Sequence, residues 1–272
     1  MDQPTTPLDG GGREPALARG DAVGSMRAVA VAALGALACG ASPVRSEGPA
    51  GDVAAIEDMV AAGRKKVEAW FGAPFPHPFV VHVYPNRAAF TARMREAWKE
   101  PNLETQCWMV GVGMATELML LAPSRWRAEA CEHNPDDRAA LARLIVHEIV
   151  HVYHSQMNPR LDADPDGMEP LGWFVEGLAV LVSGQLDDGH LAPASEAVRV
   201  GAAPTALAAA WSGKYRYGVS GSIVGYIERA WGRPTVVALL RAQSPADVLG
   251  RLGVTEPELL ARWRAAVAGG AP

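Results

Sequence analysis

The stretch LIVHEIVHVYH, residues 144–154, carries three of the chain's seven histidines in an otherwise aliphatic run. A buried helix normally excludes ionisable groups unless they are paired or bind something. His147 and His151 are four residues apart, about 400° of helical rotation, so both rings leave one face a turn apart. That spacing lets two imidazole nitrogens reach one ion at roughly 2.0–2.1 Å. Glu148 lies about 100° round the helix from His147. It is badly placed for the same coordination shell but well placed to reach a water on the metal, the position of a general base in zinc hydrolysis. His154 is on the same face but about 10 Å from His147 along the axis. It is expected at the rim or behind the ligands, or simply as a helix-end histidine favoured by the dipole.

The helix around this motif is the clearest in the chain. HNPDDRAALARLIVHEIVHVYHSQ, 133–156, is expected to take Asn134 as its cap, Pro135 in its first turn, and Asp136 and Asp137 at the positive end of the dipole. Asn158-Pro159 should stop it. Before it, periodicity predicts a helix over 53–70, a strand in 78–85, a helix over 86–98 opened by Asn86, and strands in 107–114 and 117–123. After it come a polar loop, 158–170, and a helix in GWFVEGLAVLVSG, 172–184. After Pro204 the chain is helical, with Gly232 and Gly253 where helix C-caps belong. Strands early and helices late argue for an α+β fold, a small N-terminal mixed sheet with the motif helix, followed by a helical C-terminal lobe.

Composition excludes several classes. The chain has 272 residues, 49% hydrophobic and 20% charged, as in a globular protein. A net charge of -5 and a pI near 5.8 give no electrostatic case for nucleic acid. No apolar run reaches the roughly 18 residues of a membrane span. Residues 1–50 read as a disordered leader and a linker, 42–51, ahead of one domain over 51–272. Within the leader, 26–39 has the layout of a secretory signal, with Met26 as its start and Ala36-Leu37-Ala38 as a cleavage site. The expectation is export to a bacterial periplasm or cell envelope. Cys39 stands where a lipid anchor would attach, although Ala36 occupies the place where a lipidation motif wants leucine. Cys107 and Cys131 then remain, an even pair that suggests a disulfide.

A zinc hydrolase needs a third protein ligand and an open fourth position. No later histidine has suitable spacing; His190 sits in a polar turn, LDDGH. Glu176 instead lies in the middle of the apolar helix GWFVEGLAVL, with residues 152–175 between it and His151. A carboxylate flanked by Trp173, Phe174, Val175, Leu178 and Val180 wants a cation. Gly177 beside it should let this helix pack close to the motif helix.

His147-Glu148-x-x-His151 followed by WFVEGLA resembles the gluzincins, the thermolysin-type zinc peptidases, and most of all the bacterial peptidase-MA-like domains. The resemblance runs from FVVHVYP to YGVSGSIVGYIERAWG, over most of residues 55–265. It implies a zincin-like fold, one zinc ion held by His147, His151 and Glu176, Glu148 as base and proton shuttle, and a peptide or protein substrate. By the same resemblance Tyr217, with Tyr215 as the other candidate, would stabilise the oxyanion. The chain departs from the pattern at Val180, where such enzymes carry an aspartate that orients a ligating histidine; here that partner must come from elsewhere. The alternatives are a non-catalytic metal-binding envelope module on the same scaffold, and a chance motif without metal. Oligomeric state is not legible.

Overall fold

The computed structural model describes residues 43–46 and 50–270. The expected signal segment 26–39, with Cys39, lies outside them. In chain order the elements are β1 (Val44–Ser46), α1 (Ala50–Phe71), β2 (Val80–Tyr84), α2 (Arg87–Trp98), β3 (Gly111–Met114), β4 (Glu117–Leu121), α3 (Trp126–Glu129), α4 (Arg138–Met157), α5 (Arg160–Ala163), α6 (Pro165–Met168), α7 (Gly172–Ser183), α8 (Leu191–Arg199), α9 (Arg216–Trp231), α10 (Arg233–Leu239), α11 (Pro245–Leu252) and α12 (Glu256–Ala268). The architecture is α+β, dominated by helix, with one small mixed sheet.

The sheet runs β1-β2-β4-β3. β1, β2 and β4 are parallel, and β3 closes the sheet as an antiparallel edge. Alternation along β2 and β4 separates two faces. Val81, Val83, Leu118 and Leu120 join the main core with residues of α1, α4 and α7. Met119 packs with Phe90 and Met94 of α2 on the other face. Glu117 is buried on that second face, and its charge is answered there. Arg93 Nη2 donates to Oε2 at 2.5 Å, and the Tyr84 hydroxyl donates to Oε1 at 3.1 Å. His82 Nδ1 lies 2.7 Å from the same oxygen.

Four segments differ from their sequence reading. Residues 42–51 are not all linker: Val44–Ser46 pairs with β2, and α1 begins at Ala50. The cap of α4 is Asp137, not Asn134; the Asp137 side chain accepts from Ala140 N at 2.9 Å. Asn134 instead shapes the preceding turn, its side chain accepting from Asp136 N at 3.1 Å, so Pro135 stays outside the helix. The 158–170 loop contains two single-turn helices, α5 and α6, and the unexpected α8 follows the LDDGH turn. Asn86, Gly232 and Gly253 all stand at the helix ends where they were expected.

Gly177 permits a close approach, but to α9 rather than to α4. A Cβ there would overlap the Ser220 carbonyl and sit 2.8 Å from Val224 Cγ2. Gly177→Ala should therefore push α7 and α9 apart and cost about 1–3 kcal/mol, the range for overpacking. Gly250 in α11 meets nothing within 4 Å. Gly250→Ala should instead stabilise by roughly 0.5–1 kcal/mol through helix propensity. Urea unfolding midpoints of the two variants should move in opposite directions; a shift of the same sign in both would contradict this packing account.

Candidate metal centre

α4 supplies His147, Glu148 and His151, and α7 crosses it to bring Glu176 against both rings. His147 Nε2 is 3.3 Å from Glu176 Oε2, and His151 Nε2 is 3.7 Å from Oε1. One donor atom from each of the three residues lies within 4.8 Å of the others. Among the described residues this is the one group of three such side chains able to hold a metal ion. The helices that carry them are buried along their other faces by Ile145, Ile149 and Val152 of α4 and by Trp173, Phe174 and Leu178 of α7.

The partner missing at position 180 is Gln185. Its Oε1 accepts from His147 Nδ1 at 2.8 Å. That bond orients the ring and turns Nε2 toward Glu176, where an ion would sit. Gln185 is presented by the end of α7, where Gly184 turns the chain in the left-handed conformation and Lys66 of α1 donates to the Ser183 carbonyl at 2.8 Å. Val180 instead packs in the core against α9, where a Cβ on Gly221 would meet its Cγ1 at 2.5 Å.

β3 runs alongside α4 at the site. A Cβ at Gly111 would sit 2.7 Å from Glu148 Cγ, and one at Gly113 would overlap the Glu148 carbonyl. Only glycine lets this strand lie so near the helix. Val110 O accepts from Leu121 N, so the antiparallel alternation points the amides and carbonyls of Gly111 and Gly113 away from β4. The β3–β4 turn is fastened to α4 and α5. Gln156 Nε2 donates to Ala115 O at 2.6 Å, and Asp162 Oδ2 accepts from Ala115 N at 2.8 Å.

Two cavities, of about 420 and 360 Å³, meet at Trp108, Met109, Gly111, His147, Glu148 and Tyr217. Together they form a cleft with the His-His-Glu group at its floor. Burial raises the Glu148 carboxyl above its ordinary value, and the neighbouring imidazoles only partly oppose this. Tyr217 reaches into the same cleft, its ring 6.4 Å from that of His147. Burial, then the charge of Glu176, pushes its phenol up to about 12, so it is a hydroxyl donor at neutral pH. Tyr215 lines neither cavity; it precedes α9 as its N-terminal residue.

His154 is not at the rim. Its ring is 2% exposed, faces Phe174 and donates from Nε2 to Leu240 O at 3.1 Å. Burial lowers it to about 3, so it is neutral and the dipole argument does not apply. The sequence reading also missed the wall of the cleft. Cys107 and Cys131 are disulfide-bonded with Cα atoms 5.3 Å apart. The bond anchors Trp108, whose carbonyl accepts from His133 Nε2 at 2.9 Å. Across from it, the Arg216 guanidinium lies 5.1 Å from the Trp108 ring and 5.0 Å from the Tyr217 ring. A lone tryptophan beside a cysteine gave no signal of this role.

Neither a family model, nor a curated protein, nor a solved structure matches this chain. The site is therefore read from its own chemistry. Two imidazoles, one oriented by an amide, and one carboxylate suit a borderline divalent ion with nitrogen and oxygen preferences. An adjoining cavity leaves room for a further ligand.

The metal-free group carries its own pH signature. Burial works against a charged His151, but the Glu176 carboxylate outweighs it and raises the ring from 6.5 to about 9. Glu176 itself is held below its ordinary 4.5 by the two imidazoles, against the opposing effect of burial. The His151 contribution is thus complete below about pH 6.5 and lost as pH rises through about 9; the Glu176 contribution is present above about 4.5 and lost in acid. Chelator-treated protein should melt highest in the window between those two ordinary values and less stably toward pH 9. A melting temperature that held level from pH 6 to 9.5 would contradict the ion pair.

Proposed function

We propose that this chain is a zinc-dependent metallopeptidase of the gluzincin kind with a zincin-like fold. The observation that carries the reading is the convergence of His147, His151 and Glu176 on one cleft, with the Glu148 side chain facing that cleft from the same helix. A purely structural metal site has no use for a carboxylate with a raised pKa beside an open cavity. That favours the hydrolase over a binding module.

His147, His151 and Glu176 would hold the ion. When bound, zinc supplies Lewis-acid chemistry, polarising a carbonyl and making water a stronger acid. Glu148 takes a proton from the attacking water on its carboxylate and delivers it to the leaving amine. The Tyr217 hydroxyl donates a hydrogen bond to the oxyanion that develops on the carbonyl. The outward backbone of Gly111 offers an extended peptide strand-like pairing beside the site, while the Gly113 amide bonds the Glu148 carboxylate. The Cys107–Cys131 bond supports an oxidising compartment, consistent with the export read from residues 26–39. No helix among the described residues is long and apolar enough to cross a membrane.

Four substitutions separate the roles. Glu176→Ala removes a ligand, so zinc should be lost on dialysis. Glu148→Gln keeps its shape outside the ligand set, so zinc should stay while turnover of a quenched-fluorescence peptide library falls by about 10²–10⁴-fold. Gln185→Leu should weaken zinc binding roughly 10–100-fold, the usual effect of losing an outer partner, while Gln185→Glu keeps it. Zinc content by metal analysis and hydrolysis would be followed on the same preparations. Loss of metal in Glu148→Gln, or full affinity in Glu176→Ala, would overturn the assignment.

A further inference from the structure

The disulfide stands at the cleft rather than in the core. Cys107 lies in the segment between α2 and β3, and Cys131 in the segment between α3 and α4. Each cysteine leads straight into the larger cavity, which residues 108–111 and 132–134 line. Cys107 is exposed and Cys131 half-buried. Trp108, which lines both cavities, is half-buried and belongs to neither hydrophobic cluster of the fold. Its supports are the bond at Cys107, the hydrogen bond from His133 and the Arg216 guanidinium. The bases of the two segments have other ties. Arg95 Nε donates to Leu103 O at 2.7 Å, and Arg87 Nη2 donates to Glu129 O at 2.7 Å and to Cys107 O at 3.1 Å. Buried Trp126 donates from Nε1 to Leu121 O at 3.0 Å.

Resting on the peptidase reading for what the cleft does, we infer that Cys107–Cys131 is a site of thiol–disulfide exchange whose redox state sets the Trp108 wall, with a dithiol of the Cys-x-x-Cys class as its reductant. Exposed disulfides are the ones open to such exchange. A thiolate of the reductant attacks the exposed Cys107 sulfur, the S–S bond breaks, and Cys131 leaves as a thiolate that takes up a proton. The second thiolate of the reductant attacks the mixed disulfide and releases Cys107, which is protonated in turn. Two electrons and two protons pass from the dithiol to the protein, and the reductant departs as its own disulfide. Opening the bond returns chain freedom to the loop it closes, 107–131. That loop contains none of His147, Glu148, His151 and Glu176, so reduction loosens the wall and leaves the ligand set in place. Arg87, Arg95 and Trp126 keep the bases of the segments fastened, while Trp108 loses the covalent part of its support.

The test uses zinc-loaded full-length protein, reduced with dithiothreitol in the absence of denaturant and then desalted. Iodoacetamide should label both cysteines while circular dichroism and zinc content hold. Amide exchange read by mass spectrometry should quicken about tenfold or more in 107–111 and 130–134 and stay as it was in α4 and α7. Hydrolysis of a quenched-fluorescence peptide should fall about tenfold in kcat/KM, mainly through KM. Oxidised glutathione should reverse all three changes. The double variant Cys107→Ser, Cys131→Ser should reproduce the reduced form without reductant, and if it does not fold, the cycle on the wild type decides. A bond that yields only after unfolding in urea, or segments that exchange alike in both forms, would overturn the redox site. Reversible loosening in a protein that takes up no zinc would leave that site standing and remove the metallopeptidase reading. Zinc uptake and hydrolysis indifferent to the redox state would do the reverse.

Discussion

The contact on which this structure turns is a carboxylate set against two imidazoles between two apolar helices. Glu176 sits in a helix whose remaining faces are packed with Trp173, Phe174 and Leu178, where an unpaired charge would cost several kcal/mol. The rings of His147 and His151 answer it, and an ion held by all three would answer it better. That requirement fixes the crossing of α4 and α7 to within a side chain's reach. The rest of the helical layer conforms: α9 closes on the back of α7 through Gly177, and α1 holds the end of α7 through Lys66.

The same economy of space governs the sheet side. β3 approaches α4 so closely that its two glycines face Glu148 directly. The carboxylate consequently lies between a helix and an exposed backbone edge, with its pKa raised by the enclosure. The turn after β3 is bonded to Gln156 and Asp162, which ties the strand to the helices beside the cleft floor. Opposite, the wall at Trp108 rests on a covalent bond and on the stacked Arg216 rather than on the core.

What could be read in the sequence were the features whose physics is local. His147, Glu148 and His151 are related by one turn of one helix. Glu176 betrayed itself because an acid among aliphatics needs a reason, and Cys107 and Cys131 because they were an even pair. Gln185 had no such mark. It acts through a ring 38 positions away, and only the turn at Gly184 aims it there. Three-residue β1 is too short to show a period, and its pairing depends wholly on β2. Asn134 reads as the cap and Asp137 as a first-turn acid, because residue type does not separate them; which one bonds Ala140 N is settled by the turn that Pro135 imposes. Tyr215 and Tyr217 differ in place only through the start of α9.

An open sheet has two margins, and each is a hazard in a crowded solution, because unpaired strands recruit other chains. Here one margin, β1, is three residues long, and the other, β3, is four. The longer of them is recessed against α4, with glycines in place of side chains that would pack on a neighbour. Short margins of this kind leave little backbone for a second copy to pair with.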